Sequence, residues 1–382
     1  MAHMFDVAIV GGGIVGAALA GALTELDLTT VLIERGCVGA QGASRYSGGI
    51  FRIYDPDDAI QDLAIYALTR MTDTRVGTAF ASTLVRGGVY YATEEPVPQS
   101  ALDYAAQRDL GGYPIRILSR RAASAEIGSL HDGQGGPVIV EPAGGYGDVR
   151  ASARAVIRDL HRTGAVLENA RWRAMEHAGG TVTIRFEGGA VRARRLVVAT
   201  GSWAGELCPS LPIRTRSIPM VRMRTAKPAP VPVIDIRTSS YFVPVGRDMI
   251  QVGSRVRDEA SRPENLAFDE PAIIADAGQR LAAMTGNDLF GEPIDVVRGF
   301  DGYTKDGRPV IGALPNSEVL VALGFAGIGY KLAVGAAWAL ARQIRSILRD
   351  VQLPETERRL LAPFSPGRFE RPADDLLERM QT

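Results

Sequence analysis

The 382 residues of this chain predict two fold classes in one molecule: an α/β domain on a parallel sheet, and an interleaved α+β domain of antiparallel sheet. Three observations carry that prediction. The first is the opening, where a strand, Asp6-Val7-Ala8-Ile9-Val10, runs into Gly11-Gly12-Gly13-Ile14-Val15-Gly16 and then a helical run over 17–26. The second is the return of similar short apolar strands with glycine turns near 196–203 and 309–331. The third is the alternating, proline-divided pattern of 213–300, as in Tyr241-Phe242-Val243-Pro244 and Met249-Ile250-Gln251-Val252-Gly253, which reads as an antiparallel sheet with one covered face.

Each part of the opening has a job in holding a dinucleotide. Gly11 allows a tight turn, Gly13 lets the backbone approach a pyrophosphate, and Gly16 lets helix and strand pack closely. The free N–H groups at the helix N-terminus, with Ile14 and Val15 in its first turn, attract the pyrophosphate. A second strand, Thr30-Val31-Leu32-Ile33, ends on Glu34, eighteen residues after Gly16, where an acid accepts from an adenosine ribose. The alternative is an ordinary βαβ unit whose glycines serve packing alone.

Further along, small residues over 39–49 read as a loop, and Asp55-Pro56-Asp57-Asp58 as the cap of a helix from near Ala59 to about Thr78. Residues 83–92 read as one strand, 95–140 as mixed. An amphipathic helix over 151–163 leads to strands at 165–167, 172–175, 181–186 and 196–199. A helix is expected from about Pro271 to Met284 and a long one from about Lys331 to Leu348, with a polar surface tail after Pro354. The α/β domain is therefore discontinuous, 1–80, 146–212 and 304–382, with 81–145 and 213–303 forming the second domain.

Composition narrows the function. Lys plus Arg and Asp plus Glu are both 43, so nothing points to nucleic acid. Two cysteines, Cys37 and Cys208, give neither a disulfide framework nor a metal cluster, as expected in a reducing cytoplasm. The histidines, His3, His131, His161 and His177, are scattered and suit solvated or capping roles; no metal is expected. A first strand near residue 5 leaves no room for a signal peptide, and no apolar run is long enough to span a bilayer.

Together these segments resemble the D-amino-acid oxidase family of FAD-dependent enzymes, closest in style to its sarcosine and glycine oxidase branches, over nearly the whole chain. Beside the opening turn, the resemblance rests on Ala199-Thr200-Gly201-Ser202-Trp203, on Thr304-Lys305-Asp306-Gly307-Arg308-Pro309-Val310-Ile311-Gly312, and on Gly324-Phe325-Ala326-Gly327-Ile328-Gly329-Tyr330-Lys331. It implies a Rossmann-like FAD-binding domain with an interleaved antiparallel-sheet substrate domain. It implies FAD contacts from Gly11, Gly13, Ile14, Val15, Gly16, Glu34, Arg35, Ser44, Arg45, Trp172, Thr200, Gly201, Trp203, Gly327, Gly329, Tyr330 and Lys331. Trp172 reads equally well as a core tryptophan.

For the substrate, the resemblance implies that Arg52 and Lys331 hold the carboxylate of an amino acid so that its α C–H meets flavin N5. Arg52 alternatively forms a surface pair with Asp55 or Asp57. A cation at the Lys331 position, in the first turn of a helix, is disfavoured unless something anionic faces it. Tyr241 is a candidate pocket wall, as is Tyr303. Three departures matter. Gly299 stands where some sarcosine oxidases bond flavin through cysteine, so non-covalent FAD is expected. Asp301 stands where D-amino-acid and glycine oxidases carry a carboxylate-binding arginine, so their usual form of recognition does not carry over; it either binds a positive group of a basic substrate or pairs with Arg298 or Arg308. Gln251 stands where sarcosine oxidases place a lysine that helps oxygen react, which implies either slow oxygen use or a substitute such as Arg45, Arg255 or Lys331. The implied activity is FAD-dependent oxidation of the C–N bond of an amino acid or N-substituted amino acid to an imine, in a specialised biosynthetic setting and with O2 or another electron acceptor. The rival is a 2-hydroxy-acid dehydrogenase.

Overall fold

Every residue of Thr30–Ile33 is buried, as a strand covered on both faces requires. It lies inside a parallel layer whose order is Val319–Leu323, Gly189–Val198, Met4–Val10, Thr30–Ile33 and Gly164–Leu167, with Val310–Ala313 antiparallel at one edge. The first half of Gly189–Val198 continues outward as a meander with Thr181–Phe186 and Trp172–Ala178. The computed structural model describes residues 4–369, apart from 95, 107–112, 132–134, 161–163, 287–288, 290 and 316. His3, His161, the end of the helix expected over 151–163 and the tail beyond 369 lie outside them.

The helix Gly329–Arg349 packs against both Ile14–Glu25 and Asp58–Asp73, and the three share the largest apolar core. A second sheet runs Glu259–Ala260, Arg214–Thr225, Met249–Gly253, Ser240–Pro244, Val233–Asp235, Val89–Ala92, Val138–Glu141 and Arg116–Leu118, with Gly291–Tyr303 also paired to Arg214–Thr225. All its pairings are antiparallel except that of Val233–Asp235 with Val89–Ala92. Ile273, Ala277 and Leu281 of the helix Glu270–Thr285 cover one face, against Val221, Phe242 and Val252. The protein is thus an α/β layer joined to an antiparallel-rich sheet, as the patterning predicts.

Three local expectations need correction. Residues 83–92 are not one strand: Gly87-Gly88, with Gly88 at φ +105°, divides Leu84–Arg86 from Val89–Ala92, and the two halves join different sheets. The helix expected from Ala59 to Thr78 breaks at Thr74, whose extended backbone (φ −129°, ψ 152°) ends Asp58–Asp73 and whose Oγ1 caps Arg75–Ala81 by accepting from Gly77 N at 2.9 Å. The small-residue loop after Gly39 contains a short helix, Gly42–Tyr46.

Candidate active site

The carboxyl ends of the parallel strands open into a cleft. Its floor is the glycine turn. Gly11 has φ +112°, and a Cβ there would stand 2.4 Å from Ala199 O, so the backbone approach excludes any side chain. Gly16 lies behind the cleft, where a Cβ would meet Gly11 O at 2.0 Å, consistent with a packing role. The helix Ile14–Glu25 begins with no acidic residue in its first turn and no side-chain cap at Gly13, though Ser44 Oγ accepts from Ile14 N at 3.0 Å.

Glu34 is buried against the cleft. Its Oε2 accepts from Gly12 N at 2.7 Å and its Oε1 from Gly36 N at 2.9 Å. The carboxylate is fixed, and each oxygen retains a second acceptor direction. Arg35 lies over the Trp203 ring, 3.6 Å from its centroid, while Trp203 Nε1 donates to Glu264 at 2.8 Å. Trp172 Nε1, Thr200 Oγ1 and Ser202 Oγ are buried without partners, and all three residues line this cleft with Gly13, Val15, Gly201 and Gly329.

A second cleft shares Ile14, Ala43, Ser44, Asp301 and Gly329 with the first. Arg52 and Lys331 both line it. They meet at Asp55: Lys331 Nζ donates to Asp55 Oδ2 at 2.6 Å, and Arg52 Nη2 lies 3.6 Å from the same oxygen. Lys331 is buried, so it is not a solvated helix residue, and Asp55 is the anion that faces it. Burial and the nearby Arg52 push the Lys331 ammonium down. The Arg52 guanidinium sits 4.8 Å from the Tyr91 ring centroid, and its Nη1 is buried with no partner. Glu141 holds this segment in place: its carboxylate accepts from Ile53 N at 2.7 Å, Tyr54 N at 2.8 Å and Tyr113 Oη at 2.6 Å. Glu141 sits at the end of the strand Val138–Glu141 and carries no motif that would have singled it out.

Asp301 stands in the shared wall. Its two oxygens accept from Gly302 N at 2.7 Å and Gly327 N at 2.8 Å, and burial pushes its carboxyl up to about 6. The pairings considered from sequence do not form, because Arg298 binds Glu270 and Arg308 binds Asp57. Tyr241 lines the second cleft, with its hydroxyl 3.0 Å from Met220 Sδ and its pKa pushed up to about 12 by burial. The backbone of Gly327 and Gly329 faces the cleft, while Tyr330 turns its hydroxyl to Ser152 Oγ at 2.9 Å.

Besides Gly16, three predicted residues fall outside both linings. Gln251 is buried behind Met220, its Nε2 donating to Tyr46 O at 3.2 Å and reaching Met220 Sδ at 2.9 Å. Arg45 is exposed and leans on Tyr46. Arg255 is exposed, with its backbone N held by Asp276 at 2.7 Å. Conversely, Arg257 lines the second cleft and was not singled out by the sequence. Its position two residues past Arg255 carries no pattern that distinguishes them.

The family model for FAD dependent oxidoreductases matches residues 6–343. The chain belongs to that family. It is 24% identical to the glycine oxidase of Geobacillus kaustophilus (strain HTA426) over 348 residues, 84% of this chain and 87% of that protein. Its fold resembles the crystal structure of L-proline dehydrogenase from P. horikoshii, with a TM-score of 0.80 at 17% identity over 97% of this chain and 99% of the other. The structure of the Geobacillus kaustophilus glycine oxidase gives 0.75 at 21% identity over 97% and 100%. The enzyme is therefore an FAD-dependent oxidoreductase. The first cleft fits FAD: a glycine turn without room for side chains, a helix N-terminus with no acid in its first turn, a fixed acid at the second strand and three orphaned polar atoms are what a dinucleotide's phosphates, ribose and base would satisfy. Among the described residues, no helix is long and apolar enough to cross a membrane and no acidic, histidine or cysteine cluster suits a metal.

Proposed function

We propose that the enzyme oxidises the C–N bond of an amino acid or N-substituted amino acid to an imine, which water then hydrolyses. One observation carries this reading: two cations, Arg52 and Lys331, line a cleft that shares a wall with the cofactor cleft. Arg52 has a buried, unpartnered Nη1 ready to donate to a carboxylate, while Lys331 and Asp55 keep it oriented. Glycine oxidase and L-proline dehydrogenase, by their names, act on amino acids, which agrees with this assignment. FAD, when bound, would supply the acceptor for the two electrons that leave the α carbon as hydride.

The chain's own contribution is orientation and charge. The substrate nitrogen enters neutral, so that its lone pair assists loss of the α hydrogen. Asp301 is the carboxylate in the wall nearest both clefts, but two backbone N–H donors hold it in place, so it orients the glycine loop rather than reaching for a proton. The same bonds weaken the support for a basic substrate. Neither cysteine lines either cleft, which supports FAD held without a covalent link.

An anaerobic screen for flavin bleaching across amines, N-alkyl amino acids and acidic, neutral and basic amino acids tests the reading. Repeating the hit in air with peroxide detection separates oxidase from dehydrogenase. Arg52→Met should raise the concentration for half-maximal bleaching about 30- to 100-fold, the loss of a charge-assisted hydrogen bond of roughly 2–3 kcal/mol. If the 2-hydroxy analogue bleaches the flavin and the amino acid does not, the amine assignment falls.

A further inference from the structure

The second cleft contains a charge that the proposed grip leaves unused. Arg257 lies in the segment between Met249–Gly253 and Glu259–Ala260, and its side chain lines the cleft together with Tyr241 and Tyr303. Although the residue is exposed overall, the cleft walls desolvate its guanidinium and push its pKa down. Among the described residues it has no ion-pair or hydrogen-bond partner.

Several arginines of the same sheet and its connections do have acidic partners. Arg216 is paired with Glu259, Arg262 with Glu206, Arg280 with Asp276 and Arg298 with Glu270. The acids beside Arg257 in sequence are committed elsewhere, since Asp258 accepts from Ala267 N at 2.7 Å and Glu259 takes Arg216. Asp301, the carboxylate in the same cleft, is held by backbone N–H groups, and no cation contributes to its shift. A partly desolvated guanidinium facing a cleft without a counter-ion is a site for an anion that the protein does not supply.

Its place in the sheet gives the reach. The strand Glu259–Ala260 and the strand Val89–Ala92, whose Tyr91 carries Arg52, are five steps apart in the sheet order. Five strand spacings are at most roughly 24 Å between backbones. Both arginines line the same cleft.

We propose that Arg257 is a second anion subsite, and that the substrate is an amino acid bearing a second anionic group on its side chain or on its nitrogen substituent. The chemistry rests on the amino-acid oxidation reading above, with Arg52 taking the α-carboxylate and Arg257 the distal anion. The subsite itself rests on geometry alone and can be tested without turnover.

The test is a binding titration of the FAD-loaded enzyme with glutarate and adipate against monocarboxylates of equal length, followed by calorimetry and by perturbation of the visible flavin band. Wild type should bind the dicarboxylates at least tenfold more tightly. Arg257→Gln and Arg257→Met should each lose that preference while keeping wild-type FAD content, and Arg257→Lys should retain part of it. Equal binding of both ligand classes by wild type, or a preference that survives in Arg257→Gln and Arg257→Met, overturns the subsite. Among substrates, α-amino diacids should bleach the flavin at about tenfold lower concentration than their ω-amides. If dicarboxylates show the preference but no amino acid bleaches the flavin, the subsite stands and the amine-oxidation reading falls. If amino acids bleach it with no such preference, the reverse holds.

Discussion

The two clefts are built from different materials. The first cleft is fixed by backbone: a glycine turn pressed against Ala199 and a helix N-terminus, with a few polar side chains that have unused hydrogen bonds. The second cleft has a largely apolar wall into which Arg52, Arg257, Asp301 and Lys331 arrive from four distant segments, and Asp55 offsets two of the cations. Pyrophosphate recognition by N–H groups needs a fixed local conformation and so imposes a spacing on the sequence. Recognition by side chains imposes only that they converge, which any of several segments can arrange.

The largest effect should come from breaking the backbone side. Gly11→Ala places a Cβ 2.4 Å from Ala199 O on a residue at φ +112°. Left-handed strain alone costs of order 1–3 kcal/mol for a non-glycine residue, and the contact adds to it. The variant should purify with less than about a tenth of the wild-type FAD content, read from the flavin absorbance per protein. Full occupancy would show that the turn is not the phosphate floor.

A smaller effect should appear at the wall the clefts share. Burial raises the Asp301 carboxyl from 3.8 to about 6, so between those values the folded state holds a proton that the unfolded chain has lost. Its contribution to stability therefore falls as pH rises from about 4 to 6, and the cost of the buried charge is complete above that. A shift of about two units corresponds to roughly 3 kcal/mol. Asp301→Asn loses a backbone hydrogen bond at every pH but sheds this cost, so its thermal midpoint relative to wild type should climb by several degrees between pH 4 and pH 7. A difference that stays flat with pH would mean that Asp301 is not desolvated.

The same contrast explains what the sequence discloses. Gly11, Gly13, Gly16 and Glu34 are read directly, because one turn and one strand end do all their work. The helices Glu270–Thr285 and Gly329–Arg349 come through within a few residues, because each buries a long apolar face. The split at Gly87-Gly88 is missed although a glycine pair is a turn signal, and the pairing of each half with a different sheet shows the break. Arg52 and Lys331 are reached through family resemblance, since nothing local marks them. Arg257 and Glu141 are not reached at all: one is an arginine among many near the strand ends, the other a glutamate whose three partners lie 28 to 88 positions away. Arg45, Gln251 and Arg255 show the reverse error, in which a position near the site in sequence points elsewhere in the fold.

The smallest effect sharpens the comparison, because it asks whether a side chain contributes to the backbone-built cleft at all. Trp172 Nε1 is buried without a partner, and its ring lines the cofactor cleft. A buried donor left unpaired costs about 1–3 kcal/mol, and a bond formed on FAD binding would recover part of that. Trp172→Phe keeps an aromatic ring, smaller than the indole, and removes the donor. The FAD-free protein should then melt one or two degrees higher, while the FAD dissociation constant rises about five- to tenfold, measured by tryptophan-independent flavin fluorescence during titration. The two changes have opposite signs only if the indole N–H faces the cofactor. A variant that melts higher with unchanged FAD affinity would make Trp172 a core residue and leave the cleft's selectivity to Glu34, Thr200 and the turn.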